Sequence, residues 1–127
     1  MLIADDQPRA RRSLKALLTA MRWSRNTSGQ PSNGLIETVG EANEGQQTID
    51  QVGALHPDVV LMDLHMPKPD GMRAIRVIKS RWPEVRIVVL TMYATHRTAA
   101  LESGADAFLL KGCPTRELLE AVLPNLL

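Results

Sequence analysis

Five polar side chains follow the short apolar runs of this sequence, at the points where those runs end. Asp5 and Asp6 come directly after the first run, and Asp63 comes after the third. Thr91 closes the fourth run, and Lys111 follows the fifth. A polar group after one run could mean only that the chain reaches the surface there. Its repetition after four runs indicates a shared site.

The chemistry available to this set is that of a divalent cation and a phosphoryl group. Crowded carboxylates repel one another unless a cation lies among them, and oxygen ligands in a small, partly hydrated site suit Mg²⁺. A lysine and a threonine beside such a cluster can neutralise and hydrogen-bond phosphoryl oxygens. One carboxylate can act as a nucleophile and form an acyl phosphate. Asp63 is the natural candidate, because it follows a central strand and precedes a turn over 66–71 that would hold it rigidly.

The apolar runs that end at these residues are predicted to be strands of one parallel sheet. They are short, often β-branched and without polar alternation, which is typical of strands buried on both faces. Helical patterns, with apolar residues three and four positions apart, lie between them. The alternation predicts an α/β fold, a doubly wound five-stranded parallel sheet, whose strand ends bring the polar residues to one edge. The predicted strands are 2–4, 35–39, 59–62, 87–90 and 107–110, and the helices are 10–21, 46–55, 71–81, 95–103 and 114–123.

Length and composition exclude several other classes of protein. The chain has 127 residues, which is enough for one domain and too few for two ordinary cores. Its 15 basic and 14 acidic side chains give a net charge of +1, so no electrostatic footprint for nucleic acid or membrane is expected. One cysteine, no apolar run of membrane-spanning length and no signal-peptide pattern favour a cytoplasmic location.

Residues 24–34 depart from this compact pattern. The segment contains no large apolar residue and consists mainly of turn-forming residues. It is predicted to be a polar loop inserted between the first helix and the second strand, and it is long for such a connection. A surface insertion without a role of its own is the simplest interpretation.

The sequence resembles the receiver domain of a two-component response regulator over essentially its whole length, 1–127. Four segments carry the resemblance: LIADDQP at 2–8, VVLMDLHMPKPDGM at 59–72, VVLTMY at 88–93 and GADAFLLKG at 104–112. It implies a flavodoxin-like (βα)5 fold. The later segment LLKG-x-P-x-x-ELLEAV is similar to regulators that carry a LuxR-type helix-turn-helix output domain, which would be absent from this chain.

The resemblance also implies a phosphorylation site that contains Mg²⁺. Asp63 corresponds to the phosphoacceptor, which receives its phosphoryl group from a sensor histidine kinase. Asp5 and Asp6 correspond to the acidic pair that binds Mg²⁺ together with Asp63 and the backbone carbonyl of His65. Such a domain catalyses its own phosphotransfer and dephosphorylation but converts no external substrate, so an enzyme in the ordinary sense is not expected.

Three further residues match the parts of a conformational switch. Thr91 matches the hydroxyl that moves toward the phosphoryl group, Lys111 the lysine that pairs with it, and Phe108 the aromatic side chain whose rotation reports the change. The implied outcome is homodimerisation or altered partner binding that controls an output, most simply transcription. DNA would be bound by the absent output domain and not by this domain itself, and no membrane is involved.

Alternatives remain open at this stage. A receiver-like interaction module that no longer uses phosphate would have the same fold. An aspartyl-phosphate phosphatase would need a second acid two residues after the nucleophile, where this chain has His65. The basic residues Arg9, Arg11, Arg12 and Lys15 of the first helix are interpreted as a solvent-exposed face, although the resemblance also allows this helix to dock the kinase.

Overall fold

The computed structural model describes residues 1–26, 38–65 and 71–123. Within these ranges five short parallel strands form one sheet: β1 (Leu2–Ala4), β2 (Gly40–Ala42), β3 (Val59–Met62), β4 (Arg86–Thr91) and β5 (Ala107–Leu110). Their order in the sheet is β2-β1-β3-β4-β5. Because the strand order reverses between β1 and β3, the carboxyl ends of these two strands flank the crevice where such sheets bind their ligands.

Helices cover both faces of the sheet, and strand side chains alternate between two apolar clusters. The helices are α1 (Pro8–Asn26), α2 (Gly45–Leu55), α3 (Gly71–Arg81), α4 (Arg97–Ser103) and α5 (Thr115–Val122), with a 3₁₀ turn at Ala94–His96. Leu2 and Ala4 contribute to the cluster beneath α2, α3 and α4, whereas Ile3 between them contributes to the cluster beneath α1 and α5. This alternation is the two-residue period of a strand.

The predicted fold class is confirmed, and one strand prediction is wrong. β1, β3 and β5 coincide with the predicted ranges, and β4 extends one residue further at each end. The second strand is predicted at 35–39, of which 35–37 lie outside the described residues; in the described part, 38 and 39 are not in a strand and pairing with β1 begins at Gly40, opposite Leu2. Val39 lies before the strand and is 44% exposed. In an edge strand of three residues, register with the neighbour decides the position more than local apolarity does.

Two loop predictions fall partly outside the described residues. Residues 24–26 form the end of α1 rather than the start of a loop, and 27–34 lie outside the described part of the chain. Residues 66–70 of the predicted turn also lie outside it, and Gly71 begins α3. Among the described residues, no helix is both long and apolar enough to span a membrane.

Candidate functional site

Asp5 and Asp63 occupy equivalent positions, one residue beyond β1 and β3. The N–H of Asp5 donates to the carbonyl of Ala42, and the N–H of Asp63 donates to the carbonyl of Ala4, both at 2.9 Å. The hydrogen-bond ladder therefore continues past each strand and holds the two backbones side by side. Both residues are nearly inaccessible, with 1% and 7% of their surface exposed.

A local turn fixes each of these carboxylates in the same way. Oδ1 of Asp5 accepts the backbone N–H of Gln7 at 2.9 Å, and Oδ1 of Asp63 accepts the backbone N–H of His65 at 3.0 Å. An aspartate that binds the backbone two residues on is a common turn device. With Oδ1 engaged in this way, Oδ2 of each carboxylate is left for the interior of the crevice.

Lys111, one residue beyond β5, joins the two carboxylates. Its Nζ lies 2.9 Å from Oδ2 of Asp5 and 2.8 Å from Oδ2 of Asp63. Burial would lower the pKa of Lys111, but its hydrogen bonds to Asp63 and Asp5 and the charges of these carboxylates outweigh that effect and raise the pKa above 10.5. A charged ammonium therefore lies where two buried acids need a cation.

Thr91 brings an unsatisfied hydroxyl to the same edge of the sheet. It is the last residue of β4, fully buried, and its carbonyl accepts the N–H of Lys111 at 2.8 Å. Within the described part of the chain its Oγ1 has no hydrogen-bond partner. A buried hydroxyl without a partner costs about 1–3 kcal/mol, so this atom is suited to bond an incoming ligand oxygen.

The acids form a pair rather than a trio. Asp6 is half-buried, and nowhere in the described ranges do three acidic, histidine or cysteine side chains come together as joint metal ligands. Asp5 and Asp63 do present one oxygen each to a single nitrogen. Mg²⁺ is usually bound through one or two protein carboxylates, with waters and phosphate oxygens completing its shell. The residues present therefore fit this ion, with Asp6 next in the chain.

Phe108 and His65 are the two remaining predicted site residues, and they have different surroundings. Phe108 is half-buried against the cluster beneath α2, α3 and α4, and it lines a cavity of about 490 Å³ together with Lys111. His65 is exposed, and its ring centroid lies 5.8 Å from that of Tyr93. Tyr93 in turn meets His96 edge-on at 6.1 Å. These three rings form a chain of aromatic contacts that begins two residues after Asp63.

Sequence reasoning missed the role of Arg11. Arg9, Arg12 and Lys15 are exposed as expected, but the interpretation is wrong for Arg11, whose side chain is only 17% exposed. Its guanidinium contacts the backbone carbonyl of Asp5. The available signal was its position in the helix that directly follows Asp5 and Asp6, one turn after its start.

Comparison with known proteins identifies similar chains. The family model for the response regulator receiver domain matches residues 1–123. The transcriptional regulatory protein DegU of Brevibacillus brevis is 36% identical over 89 residues, which cover 68% of this chain and 38% of DegU. LnrK of Bacillus subtilis is 30% identical over 125 residues, 97% of this chain and 51% of LnrK. The chain thus spans about two fifths to one half of these relatives.

Solved structures agree with the sequence relatives. The signal receiver domain of the response regulator NarL from Mycobacterium tuberculosis superposes with a TM-score of 0.80 at 28% identity, covering 97% of this chain and 91% of that one. The isolated REC domain of RcsB from Salmonella enterica serovar Typhimurium, determined with the phosphomimetic BeF₃⁻, gives a TM-score of 0.74 at 27% identity. That match covers 92% of this chain and 80% of the RcsB chain.

Proposed function

The chain belongs to the response regulator receiver domain family, and on that premise we propose that it is a phosphorylation switch with Asp63 as the acceptor. Its relatives include transcriptional regulators. The observation that carries the proposal is the ammonium of Lys111 between the buried carboxylates of Asp5 and Asp63, together with a Thr91 hydroxyl that has no hydrogen-bond partner among the described residues. Cation, nucleophile and hydroxyl donor are the groups that phosphoryl transfer requires.

Asp63 receives the phosphoryl group from a phosphohistidine of a sensor kinase. A carboxylate oxygen attacks phosphorus, so that a P–O bond forms while the P–N bond breaks. The leaving imidazole keeps the electron pair and takes up a proton from water. Asp5, Asp6, Asp63 and the backbone carbonyl of His65 would hold Mg²⁺, and the bound ion would supply positive charge to neutralise phosphoryl oxygens. Asp63 returns to its unphosphorylated form by slow hydrolysis of the acyl phosphate. In this step water attacks phosphorus and releases inorganic phosphate and the Asp63 carboxylate.

Lys111 and Thr91 convert phosphorylation into a change of shape. The Lys111 ammonium pairs with the new phosphoryl oxygens, and the Thr91 hydroxyl donates to one of them and so gains the partner it lacks. Movement of Thr91 opens space for Phe108, which lines the neighbouring cavity. The surface formed by α4, β5 and α5 then repacks, because the phosphoryl group favours one of two pre-existing arrangements.

The output lies beyond this domain. DegU and LnrK are transcriptional regulatory proteins, which makes transcription the favoured output, with DNA bound by a helix-turn-helix domain outside these residues and with a homodimer formed on phosphorylation. A cytoplasmic location, shared with the catalytic part of a sensor kinase, completes this proposal. No external substrate is turned over.

Intact-mass spectrometry after incubation with a small acyl phosphate donor tests the acceptor. We expect a gain of one phosphoryl group that requires Mg²⁺ and is absent in Asp63→Asn. Asp50→Asn, a substitution of an exposed acid on α2, serves as the matched control and should be phosphorylated like the wild type. Failure of the wild type to gain mass under any condition would favour the phosphate-independent interaction module instead.

A further inference from the structure

Arg11 reaches from α1 back to the carboxyl end of β1. Its Nη1 donates to the backbone carbonyl of Asp5 at 2.7 Å, and its Nε donates to Oε1 of Glu41 at 3.1 Å. Glu41 belongs to β2, so one guanidinium connects α1, β1 and β2 at the edge where the acids lie. Only 17% of the Arg11 side chain is exposed.

The carbonyl that Arg11 binds belongs to the peptide that joins Asp5 to Asp6. Because a peptide unit is planar, fixing its oxygen fixes the direction in which the backbone leaves Asp5 and enters Asp6. Asp5 is 1% exposed, so its backbone is covered by protein, the Arg11 side chain included. The contact therefore determines how the two neighbouring carboxylates are presented.

Arg11 and Lys111 act on Asp5 in different ways. Lys111 binds the carboxylate as a counter-ion, whereas Arg11 binds the backbone and has its own charge balanced by Glu41. The planar guanidinium presents Nη1 to one partner and Nε to the other in a fixed geometry, which the ammonium of a flexible lysine does not offer. We propose that Arg11 is a positioning residue, which holds the Asp5–Asp6 peptide in the orientation that binds Mg²⁺. This inference rests on the proposed function, since it takes the acids to be the Mg²⁺ ligands.

Isothermal titration calorimetry of the unphosphorylated chain with Mg²⁺ tests this role. We expect Arg11→Met to raise the Mg²⁺ dissociation constant about tenfold, as groups that orient metal ligands commonly do. Arg12→Met is the matched control, because Arg12 is the next residue on α1 and is exposed; its affinity should equal that of the wild type. Arg11→Lys keeps a donor but loses the forked geometry, so its Mg²⁺ dissociation constant should lie between those of Arg11→Met and the wild type. This variant provides the test if Arg11→Met does not fold.

Phosphorylation kinetics separate positioning from a general loss of structure. For Arg11→Met the Mg²⁺ concentration at half-maximal rate should rise, while the rate at saturating Mg²⁺ stays close to that of the wild type. Unchanged Mg²⁺ affinity in Arg11→Met, or a loss of rate that saturating Mg²⁺ does not restore, would overturn the positioning role alone. A wild type that neither binds Mg²⁺ nor accepts a phosphoryl group would overturn the proposed function itself.

Discussion

The buried hydroxyl of Thr91 carries an energetic penalty in the unphosphorylated chain. Phosphorylation of Asp63 would remove this penalty. Its buried Oγ1 lacks a partner in the described structure, whereas its backbone is held within the ladder by Lys111. A group that is unsatisfied in one state and bonded in the other favours the second state by that difference. The hydroxyl is therefore suited to a switch because it is poorly accommodated at rest.

Thr91→Val tests this interpretation, since valine keeps the shape and removes the hydroxyl. We expect the unphosphorylated variant to be about 1 kcal/mol more stable than the wild type, because an unsatisfied buried polar group is lost. Urea unfolding in metal-free buffer measures the difference. Thr48→Val is the control, because the Thr48 hydroxyl donates to the carbonyl of Glu44 at 2.7 Å. That variant should be destabilised, and equal losses in both would contradict the argument.

Cys113 lies two residues beyond Lys111, and its environment opposes ionisation. Burial, followed by the negative charge of Glu117, raises the pKa of the Cys113 thiol above its ordinary value. At neutral pH the thiol is therefore protonated and a poor nucleophile. We expect the pH midpoint of its alkylation by iodoacetamide to lie above that of a cysteine in an unstructured peptide. Glu117→Gln should lower that midpoint and Glu120→Gln should leave it unchanged; a wild-type midpoint at or below that of the peptide would contradict the prediction.

The polar residues that follow the strands could be assigned to one edge of the sheet from sequence. Contacts between residues that are distant in the chain could not. The positions of Asp5, Asp63 and Lys111 after apolar runs indicate a common edge through the topology of parallel sheets. That Lys111 lies between the two acids, 106 residues from Asp5 in the chain, depends on the packed structure. Arg11 was missed for a similar reason, because a charged side chain on an amphipathic helix is by default solvent-exposed. The roles assigned to these residues stay predictions.

At the scale of elements, the start of α3 is tied to the strand end that carries the acceptor. A Cβ on Gly71 would lie 2.6 Å from Cα of Leu64 and 2.9 Å from its carbonyl oxygen. Leu64 directly follows Asp63, so α3 packs against the backbone beside the proposed nucleophile. Only a residue without a side chain permits this approach.

Gly71→Ala should therefore be destabilising, although alanine favours helices. We expect a loss of about 2 kcal/mol, within the usual cost of overpacking a tight contact, measured by urea unfolding. Gly53→Ala in α2 is the control, because its Cβ would meet only the Trp82 ring, at 3.2 Å, and helix propensity offsets that contact by up to about 1 kcal/mol. If both variants lost the same stability, close packing against Leu64 would not be the cause.

Strand prediction succeeded where a run is buried on both faces and failed at the sheet edge. β3, between β1 and β4, is fully buried and coincides with its apolar run. β2 consists of Gly40, Glu41 and Ala42, all three of which are residue types that strands disfavour, glycine the most. Its position is set by pairing with β1, which local sequence does not report. The fourth predicted helix likewise divides into a 3₁₀ turn and α4.

At the scale of the whole molecule, large exposed apolar side chains are concentrated in the segment that leads to the β5 edge of the sheet. Four of the exposed large hydrophobic residues among those described belong to the segment from the end of β4 through α4 to β5: Met92, Tyr93, Leu101 and Leu110. β5 is also an edge strand. An exposed apolar group at a sheet edge favours association with another chain, and this segment adjoins Thr91 and Lys111.

We therefore expect phosphorylation to promote a dimer through this segment. With Mg²⁺ and BeF₃⁻ as the phosphate mimic, the dimerisation constant measured by sedimentation velocity should tighten at least about tenfold, an ordinary coupling between two sites. Leu110→Lys should prevent this without affecting phosphorylation, because burying an unpaired charge at an interface is costly. Leu55→Lys on α2 is the matched control, since Leu55 is 40% exposed and Leu110 is 42% exposed. Equal dimerisation of the two variants would place the interface elsewhere, and a dimer that ignores BeF₃⁻ would separate association from the switch.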